Sequence, residues 1–322
     1  MTTPLNRRQM LIASTTAGVA LSTSLSASKT ANSGEKKMTA MKETEQGIRF
    51  CINTSTIREQ ALPLDEEVTL AAAVGYDSIE PWIREIEAYR DAGKSLPDLK
   101  KKIADLGLKV ESAIGFAQWI VDDEEKRKAG FEQMKRDMDL LAQIGGTRIA
   151  APPVGAQTPD APKIDLFAAA ERYAEIIRIG RDIGVVPQVE LWGFSKNLSR
   201  LGESVFVAIE SGEKEACLLP DIYHIYKGGS SFEGLHMLSG VGIECFHFND
   251  FPDIPRNTIT DADRVYPGNG IAPWPRIREI LNSIGFNGVI SLELFNRTYW
   301  KQDPKQVLTT GLHKMKAAWL GT

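Results

Sequence analysis

The chain has 322 residues, a formal net charge of −4, 43% hydrophobic residues and 25% charged residues, a composition typical of a globular protein. It contains no tract in which lysine and arginine alternate with aromatic residues, and no run of 18 or more apolar residues, which argues against a nucleic-acid partner and against a permanent membrane span. The three cysteines form no Cys-x-x-Cys pair, which excludes a zinc-finger-like site.

The N-terminal segment has the layout of an export signal. Arg7 and Arg8 stand just before an apolar run over 10–21, and a stretch rich in Ser, Ala, Thr and Lys follows to about Lys37. Paired arginines in this position resemble the twin-arginine signal. We therefore predict an export signal and flexible segment over 1–37, a catalytic domain over 45–322, and a periplasmic location.

The rest of the chain alternates short apolar runs with longer amphipathic stretches. Strands are predicted over 49–53, 77–80, 109–114, 147–151, 185–191, 216–221, 243–248 and 289–294. Helices are predicted over 64–74, 98–106, 124–144, 165–183, 204–211, 231–238, 275–283 and 304–319, several of them ended by glycine.

Regular alternation of strands and helices indicates a parallel sheet, and eight strands indicate an α/β fold of the single (β/α)8 TIM-barrel type. A doubly wound open sheet is the alternative. It is disfavoured because the segment after the first strand, over 53–56, contains no glycine for a phosphate-binding turn.

Four polar residues interrupt apolar runs near the ends of predicted strands. They are Glu190, Asp221, His247 and Glu293. Active sites of such barrels form at the carboxyl ends of the strands, so we expect these side chains to converge at one mouth. Three carboxylates and an imidazole would repel one another or remain undersatisfied there without a cation. The sequence therefore predicts one divalent metal ion, and these ligand types are compatible with Mn²⁺, Mg²⁺, Co²⁺ or Zn²⁺.

Five short motifs together resemble the xylose isomerase-like TIM barrel family of sugar and sugar-phosphate isomerases and epimerases, over nearly all of the chain after Arg49. The motifs are Val189-Glu190, Asp221-Ile222-Tyr223-His224, His247-Phe248-Asn249-Asp250, Pro267-Gly268-Asn269-Gly270 and Leu292-Glu293.

The resemblance implies roles for several residues. It implies that the four residues bind one metal, that Glu190 and Glu293 also move the substrate proton, and that His224 contacts substrate oxygens. The family's epimerases carry an arginine about six residues after the histidine of the seventh strand. Here that position is Asp253, and the nearest arginine, Arg256, is the candidate for substrate anchoring.

Further residues are candidates from their positions alone. Trp192 and three other tryptophans near the expected mouth (Trp82, Trp119 and Trp300) are candidates for stacking on a sugar face. Glu80, at the end of the second strand, is a candidate for substrate binding or for a structural ion pair.

Several functions are compatible with these residues and motifs. The first is an isomerase or epimerase of a non-phosphorylated sugar or keto-sugar, because export argues against phosphorylated substrates. The alternatives are a lyase or dehydratase of a keto-sugar or keto-inositol and a non-catalytic sugar-binding barrel. A nuclease is disfavoured because the first half of the chain contains no histidine for extra metals. A homo-oligomer is expected only from the family resemblance.

Overall fold

The computed structural model describes residues 47–322. The export signal predicted over 1–37 lies outside the described residues, and so does the predicted start of the catalytic domain at residue 45.

Eight parallel strands form the centre of the described part of the chain. They are β1 (Arg49–Asn53), β2 (Ser78–Glu80), β3 (Lys109–Val110), β4 (Arg148–Ala151), β5 (Val186–Glu190), β6 (Leu218–Leu219), β7 (Cys245–His247) and β8 (Val289–Leu292).

The strands are ordered β3-β2-β1-β8-β7 in one ladder and β4-β5-β6 in a second. Backbone hydrogen bonds between Ala113 and both Arg148 and Ala150 connect β3 to β4. A parallel bridge between Leu218 and Ile243 connects β6 to the segment entering β7. These contacts close the sheet, so the predicted TIM barrel is confirmed.

Helices follow the strands around the outside of the barrel. They span Leu64–Val74, Ile83–Asp91, Leu96–Asp105, Glu124–Gln143, Leu166–Ile183, Leu201–Glu210, Ile222–Lys227, Trp274–Ser283 and Pro304–Leu320. Shorter 3-10 turns occur over Thr54–Gln60, Phe232–Met237, Gly240–Gly242, Asp261–Asp263 and Tyr299–Lys301.

The sequence sets many helix ends directly. Asp123, Asp165 and Asp303 each accept a hydrogen bond from the backbone N–H three residues later, which satisfies a free donor of the first turn. Gly75 and Gly184 end their helices at φ of 97° and 86°, a left-handed conformation that a residue with a Cβ adopts at a cost.

The third strand was predicted over 109–114 but spans only Lys109–Val110, and the helix predicted over 231–238 is a 3-10 helix over Phe232–Met237. Two short helices were not predicted. Ile83–Asp91 and Ile222–Lys227 follow their strands without a loop and are too short to show a clear period in the sequence. The sixth strand was predicted over 216–221 but its ladder is shorter, because Pro220 has no N–H to donate.

The hydrophobic core has two parts. The larger lies between the strands and the outer helices, and the smaller fills the barrel interior with small and medium side chains including Cys51, Ala150, Leu219 and Cys245. Among residues 47–322, no helix is both long and apolar enough to cross a membrane.

Candidate active site

Glu190, Asp221, His247 and Glu293 converge at the carboxyl ends of β5 to β8. The Nδ1 atom of His247 lies 3.3 Å from Glu293 Oε2, 3.7 Å from Asp221 Oδ2 and 4.0 Å from Glu190 Oε1. All four side chains are buried, with at most 3% of their residue surface exposed. The structure thus brings together every residue of the predicted metal set.

This cluster fits a divalent ion. Two ligand atoms that each lie about 2.1 Å from one ion are at most about 4.2 Å apart, and all three distances from His247 Nδ1 are shorter than that. Within residues 47–322, His247 Nδ1 and Glu190 Oε2 are buried atoms without a hydrogen-bond partner. Buried polar atoms normally have a partner, and an ion bound in this cluster would supply one.

Glu80 lies behind His247 rather than in the cavity. Its Oε2 atom is 3.1 Å from His247 Nε2 and accepts hydrogen bonds from Ser291 Oγ at 2.7 Å and Asn53 Nδ2 at 2.9 Å. Of the two predictions for Glu80, the structure shows the contact expected for an ion pair, and Glu80 is not among the residues that line the cavity. A carboxylate on Nε2 fixes the ring so that Nδ1 faces the other three carboxylates, as the hydrogen-bond partners of metal-binding histidines do.

Asp221 is positioned by the helix that it begins. Its Oδ1 atom accepts from the N–H of His224 at 2.8 Å, so the residue is the N-cap of Ile222–Lys227. Its Oδ2 atom accepts from Asn249 Nδ2 at 2.9 Å and faces His247. One carboxylate thus fixes the local backbone and contributes to the cluster.

Arg264, and not Arg256, is the arginine that reaches the cluster. Its Nη1 donates to Asp221 Oδ2 at 2.9 Å and to Glu293 Oε2 at 2.8 Å, and the residue is 1% exposed. Arg256 is instead exposed, with its guanidinium 5.0 Å from the ring centre of Tyr226. Arg264 was not predicted from the sequence, because it lies in a loop and not at the end of a strand.

His224 also faces the cavity, as predicted. Its Nδ1 accepts a hydrogen bond from the N–H of Gly193 at 3.2 Å, and its Nε2 lies 3.0 Å from Arg264 Nη2. Burial lowers the pKa of His224 to about 3, so the imidazole is neutral and carries one proton. A neutral imidazole carries one N–H, so only one of its two nitrogens accepts, and either the Gly193 N–H or the Arg264 N–H faces a second donor.

Asp250, which belongs to one of the five sequence motifs but had no predicted role, holds the loop that carries Arg264. Its carboxylate accepts from the N–H groups of Phe251, Gly268, Gly270 and Ala272 and from Trp274 Nε1, at 2.7 to 3.1 Å. Its backbone pairs with Val265, the residue after Arg264. The Pro-Gly-Asn-Gly motif is therefore a scaffold for the arginine.

The two candidate catalytic glutamates have opposite electrostatic environments. Burial raises the pKa of Glu190 to about 8, with His247 opposing the shift and Glu293 adding to it. Burial also disfavours the charge on Glu293, but His247 and Arg264 outweigh it and hold the pKa of this carboxyl far below its usual range. A pair of carboxyls whose pKa values are pushed apart is the usual arrangement for acid and base roles.

A cavity of about 160 Å³ opens over the cluster. The residues that line it are Trp82, Ile114, Phe116, Glu190, Trp192, Phe194, His224, Asp261, Arg264, Glu293 and Phe295. Of the four tryptophans considered from sequence, Trp82 and Trp192 line this cavity. Trp119 is fully buried and donates to Pro152 O at 2.8 Å, and Trp300 donates to Ser55 O at 2.8 Å outside the lining.

A closed barrel with carboxylates and a histidine at the carboxyl ends of its strands defines the class of (β/α)8 barrels with a candidate active site at this mouth. Comparison with known proteins names the family. Residues 68–318 match the model of the xylose isomerase-like TIM barrel family, and the chain belongs to that family. The resemblance found in the sequence is confirmed.

Among curated proteins, the chain is 26% identical over 273 residues to the inosose isomerase of Bacillus velezensis, covering 84% of this chain and 96% of that one. It is 24% identical over 243 residues to the 3-dehydroshikimate dehydratase of Pseudomonas aeruginosa, covering 72% of this chain and 36% of that one.

Among solved structures, the IOLI protein with a bound zinc atom has a TM-score of 0.79 at 24% identity, with 85% of this chain and 98% of that one covered. D-psicose 3-epimerase has a TM-score of 0.68 at 19% identity, with 84% and 99% covered. These likenesses confirm the fold, and the recurrence of isomerases and epimerases among the relatives supports the prediction of an enzyme of this kind.

Proposed function

We propose that this protein is a metal-dependent isomerase or epimerase that moves a proton next to the carbonyl of a non-phosphorylated sugar or cyclic keto-sugar. The observation that supports it most is the pairing of Glu190 and Glu293 on one cavity around the unpartnered Nδ1 of His247. The inosose isomerase relatives act on a compound of this chemical type by name.

The metal would be held by Glu190, Asp221, His247 and Glu293. A divalent ion in this cluster would polarise a substrate carbonyl and make the neighbouring C–H more acidic. Its identity is open among Mn²⁺, Mg²⁺, Co²⁺ and Zn²⁺, and the zinc in the IOLI structure belongs to that protein.

In this proposal Glu190 and Glu293 move the substrate proton. One of the two, as a carboxylate, accepts the proton from the carbon next to the carbonyl, and the other, in its protonated form, donates the proton that replaces it. Both side chains line the same cavity, so both can reach one bound substrate.

His224 and Arg264 would bind the substrate oxygen that gains negative charge. His224 Nε2 and Arg264 Nη2 lie 3.0 Å apart and both residues line the cavity. A substrate oxygen bound beside them would accept a hydrogen bond from Arg264 Nη2, and from His224 Nε2 when that nitrogen carries the imidazole proton. Fixed donors aimed at a developing negative charge are among the largest contributions to catalysis.

The cavity is poorly suited to a phosphate group. Arg264 is the one Lys or Arg side chain among the described lining residues, and its guanidinium is bonded to Asp221, Glu293 and Asp261. A phosphate dianion would compete with these carboxylates for the same donors. This favours a substrate without phosphate.

A dehydratase is the second candidate, because the 3-dehydroshikimate dehydratase relative has the same scaffold. Proton removal next to a carbonyl is common to both reactions, and they differ in whether a neighbouring oxygen then leaves.

One experiment tests the proposal and separates the two candidates. The metal-loaded protein is incubated in deuterium oxide with free keto-sugars and inososes, and the products are analysed by mass spectrometry and NMR. We expect deuterium at the carbon next to the carbonyl with the wild type, and none with Glu190→Gln. Deuterium uptake with loss of water would indicate the dehydratase, and no uptake with any of these ketones would overturn the proposal.

The proposal includes export of the enzyme, which rests on Arg7 and Arg8 before their apolar run. Replacing both by lysine is expected to leave the protein in the cytoplasm, as measured by cell fractionation and immunoblotting. A periplasmic location for that variant would contradict this part of the proposal.

A further inference from the structure

Five aromatic side chains form a continuous wall of the cavity, which we call the aromatic arc: Phe295, Trp82, Phe116, Trp192 and Phe194. Successive ring centres are 6.1, 5.0, 6.2 and 5.4 Å apart. All five line the cavity above the metal cluster. The arc is therefore part of the active site and not a separate surface patch.

Both ends of the arc meet the polar donor pair. The Phe295 ring centre is 5.0 Å from the guanidinium carbon of Arg264. The Phe194 ring centre is 5.7 Å from the imidazole ring centre of His224. Arg264 and His224 are also in contact with each other, so the five rings and these two side chains form a closed ring of neighbouring residues. The aromatic arc and Ile114 form the apolar part of the cavity lining, and the polar part consists of Glu190, His224, Asp261, Arg264 and Glu293.

The arc offers few hydrogen bonds to a ligand. Its only polar side-chain atoms are the two indole nitrogens, and that of Trp82 already donates to Asn53 Oδ1 at 3.0 Å. A hydroxyl placed against the rings would lose its bonds to water without replacement, at a cost of about 1–3 kcal/mol each. A free sugar stacks one apolar face on a ring, but its hydroxyls find few hydrogen-bond partners along the remainder of this wall.

The outer part of the arc extends the site beyond one sugar ring. Phe116 is 37% exposed and Phe194 is 44% exposed, whereas Trp82 behind them is 6% exposed. Side chains as large as these are seldom left in water together at the edge of a cavity unless a ligand covers them.

We propose that the substrate of this site is a cyclic ketone of the sugar class that carries a planar apolar substituent, such as an aryl group joined to a keto-sugar. This inference rests on the proposed function for the reacting end of the molecule. The ketone and its neighbouring oxygens face the metal cluster, Arg264 and His224, and the substituent packs between Phe116, Trp192 and Phe194.

The test compares the binding of methyl and phenyl glucosides to the metal-loaded protein by calorimetry. These probes share the sugar and differ only in the substituent. We expect the phenyl glucoside to bind about tenfold more tightly, as a ring buried against aromatic side chains contributes roughly 1.4 kcal/mol or more. The gain should fall to about twofold or less in Phe116→Ala and in Phe194→Ala.

Phe167→Ala is the matched control. Phe167 is 59% exposed but lies on the helix Leu166–Ile183 against Phe206, outside the cavity lining. Its replacement should leave the tenfold preference unchanged. Circular dichroism of all three variants checks that they fold, which is expected because each phenylalanine is partly in water.

Two results would overturn the inference: equal affinity for the two glucosides, or a preference that persists in both arc variants. The deuterium-exchange experiment on free keto-sugars is read separately. If deuterium exchange occurs but the phenyl glucoside binds no more tightly than the methyl glucoside, only the inference about the apolar substituent is refuted. If the phenyl glucoside binds more tightly but no exchange occurs, the aromatic subsite stands and the proposed reaction is refuted.

Discussion

At the scale of single residues, the orientation of His247 depends on Glu80. The carboxylate is fully buried and bonded to His247 Nε2, Ser291 and Asn53, so it has no freedom to leave the imidazole. Burial disfavours a charged His247, but Glu293 and Glu80 outweigh this and raise the pKa of the imidazole well above its usual value. A metal ion must therefore displace a proton from His247, and Glu80 then keeps the neutral ring aligned.

Glu80→Gln should weaken metal binding about 10- to 100-fold, because the carboxylate that orients a metal-binding histidine also raises its basicity. The measurement is a calorimetric titration of metal-free protein with Zn²⁺ or Mn²⁺. Glu66→Gln is the matched control, since Glu66 is an exposed glutamate on the helix Leu64–Val74. Unchanged affinity in Glu80→Gln would show that the contact is only structural.

Arg264→Lys should lower kcat/KM for deuterium exchange about 100-fold, the size of effect seen when one donor to a developing negative charge is removed. Lysine keeps the charge but loses the planar pair of N–H groups. Arg256→Lys, on the surface against Tyr226, should leave kcat/KM unchanged. Metal content is measured in parallel, and a loss of metal in Arg264→Lys would assign the arginine to the cluster and not to substrate.

At the scale of elements, the loop after β7 links the sequence motif to the site. Asp250 gathers four backbone N–H groups and one indole N–H, and this fixes the segment on which Arg264 stands. Gly270 leaves room there, because a Cβ at this position would collide with Phe251 O and the Asp250 carboxylate.

Asp250→Asn should reduce the free energy of unfolding by about 3 kcal/mol or more, because an amide NH₂ would face buried N–H donors and leave several unpaired. Urea unfolding of the metal-loaded protein measures the change. Asp253→Asn, at an exposed position of the same loop, should change stability by less than about 0.5 kcal/mol. Similar small changes in both variants would contradict the scaffold role.

The elements with regular patterns were predictable from sequence, and so were the ligands on them. The helix over 64–74 and the strand over 49–53 have the predicted bounds, since proline, glycine and apolar periodicity mark them locally. Glu190, Asp221, His247 and Glu293 were found because a charged residue in an apolar strand is conspicuous.

The roles of Arg264 and Asp250 could not be predicted from sequence, because they depend on a loop conformation. Asp250 reaches Gly268 and Gly270, and Arg264 reaches back to Asp221. Such contacts leave no period in the sequence. Glu80 was found by the same signal as the metal ligands, but the signal does not distinguish a side chain in the cavity from one behind it.

At the scale of the whole molecule, the barrel contains buried carboxyls that serve no part of the proposed reaction. Asp137 lies on the helix Glu124–Gln143, is 5% exposed, and its Oδ2 is a buried atom without a hydrogen-bond partner in residues 47–322. Burial raises the pKa of Asp137 to about 6, with Glu87 adding to the shift. The Asp137 carboxyl of the native state thus binds its proton more tightly than the same carboxyl in the unfolded chain, where its pKa is ordinary.

Asp137→Asn should therefore stabilise the protein at pH 7–8 by about 1–2 kcal/mol, after allowing for partial solvent screening of the shift. The wild type loses this part of its free energy of unfolding as the pH rises from about 4 through about 6, because Asp137 then loses its proton while buried. The variant has no carboxyl at this position, so it does not show this loss. Urea unfolding at pH 4.5 and pH 7.5 measures this, with Glu132→Gln on the same helix as an exposed control. A gain of equal size at both pH values would rule out the titration of Asp137 as its cause.

The central claim is that one divalent ion is bound by Glu190, Asp221, His247 and Glu293, and elemental analysis of the purified protein tests it most directly. We predict about one Mn, Co, Mg or Zn ion per chain in the wild type and in Glu66→Gln, and loss of that ion in Glu190→Gln and His247→Ala. A wild type that holds no metal after incubation with each of these ions, or variants that hold as much as the wild type, would contradict the claim.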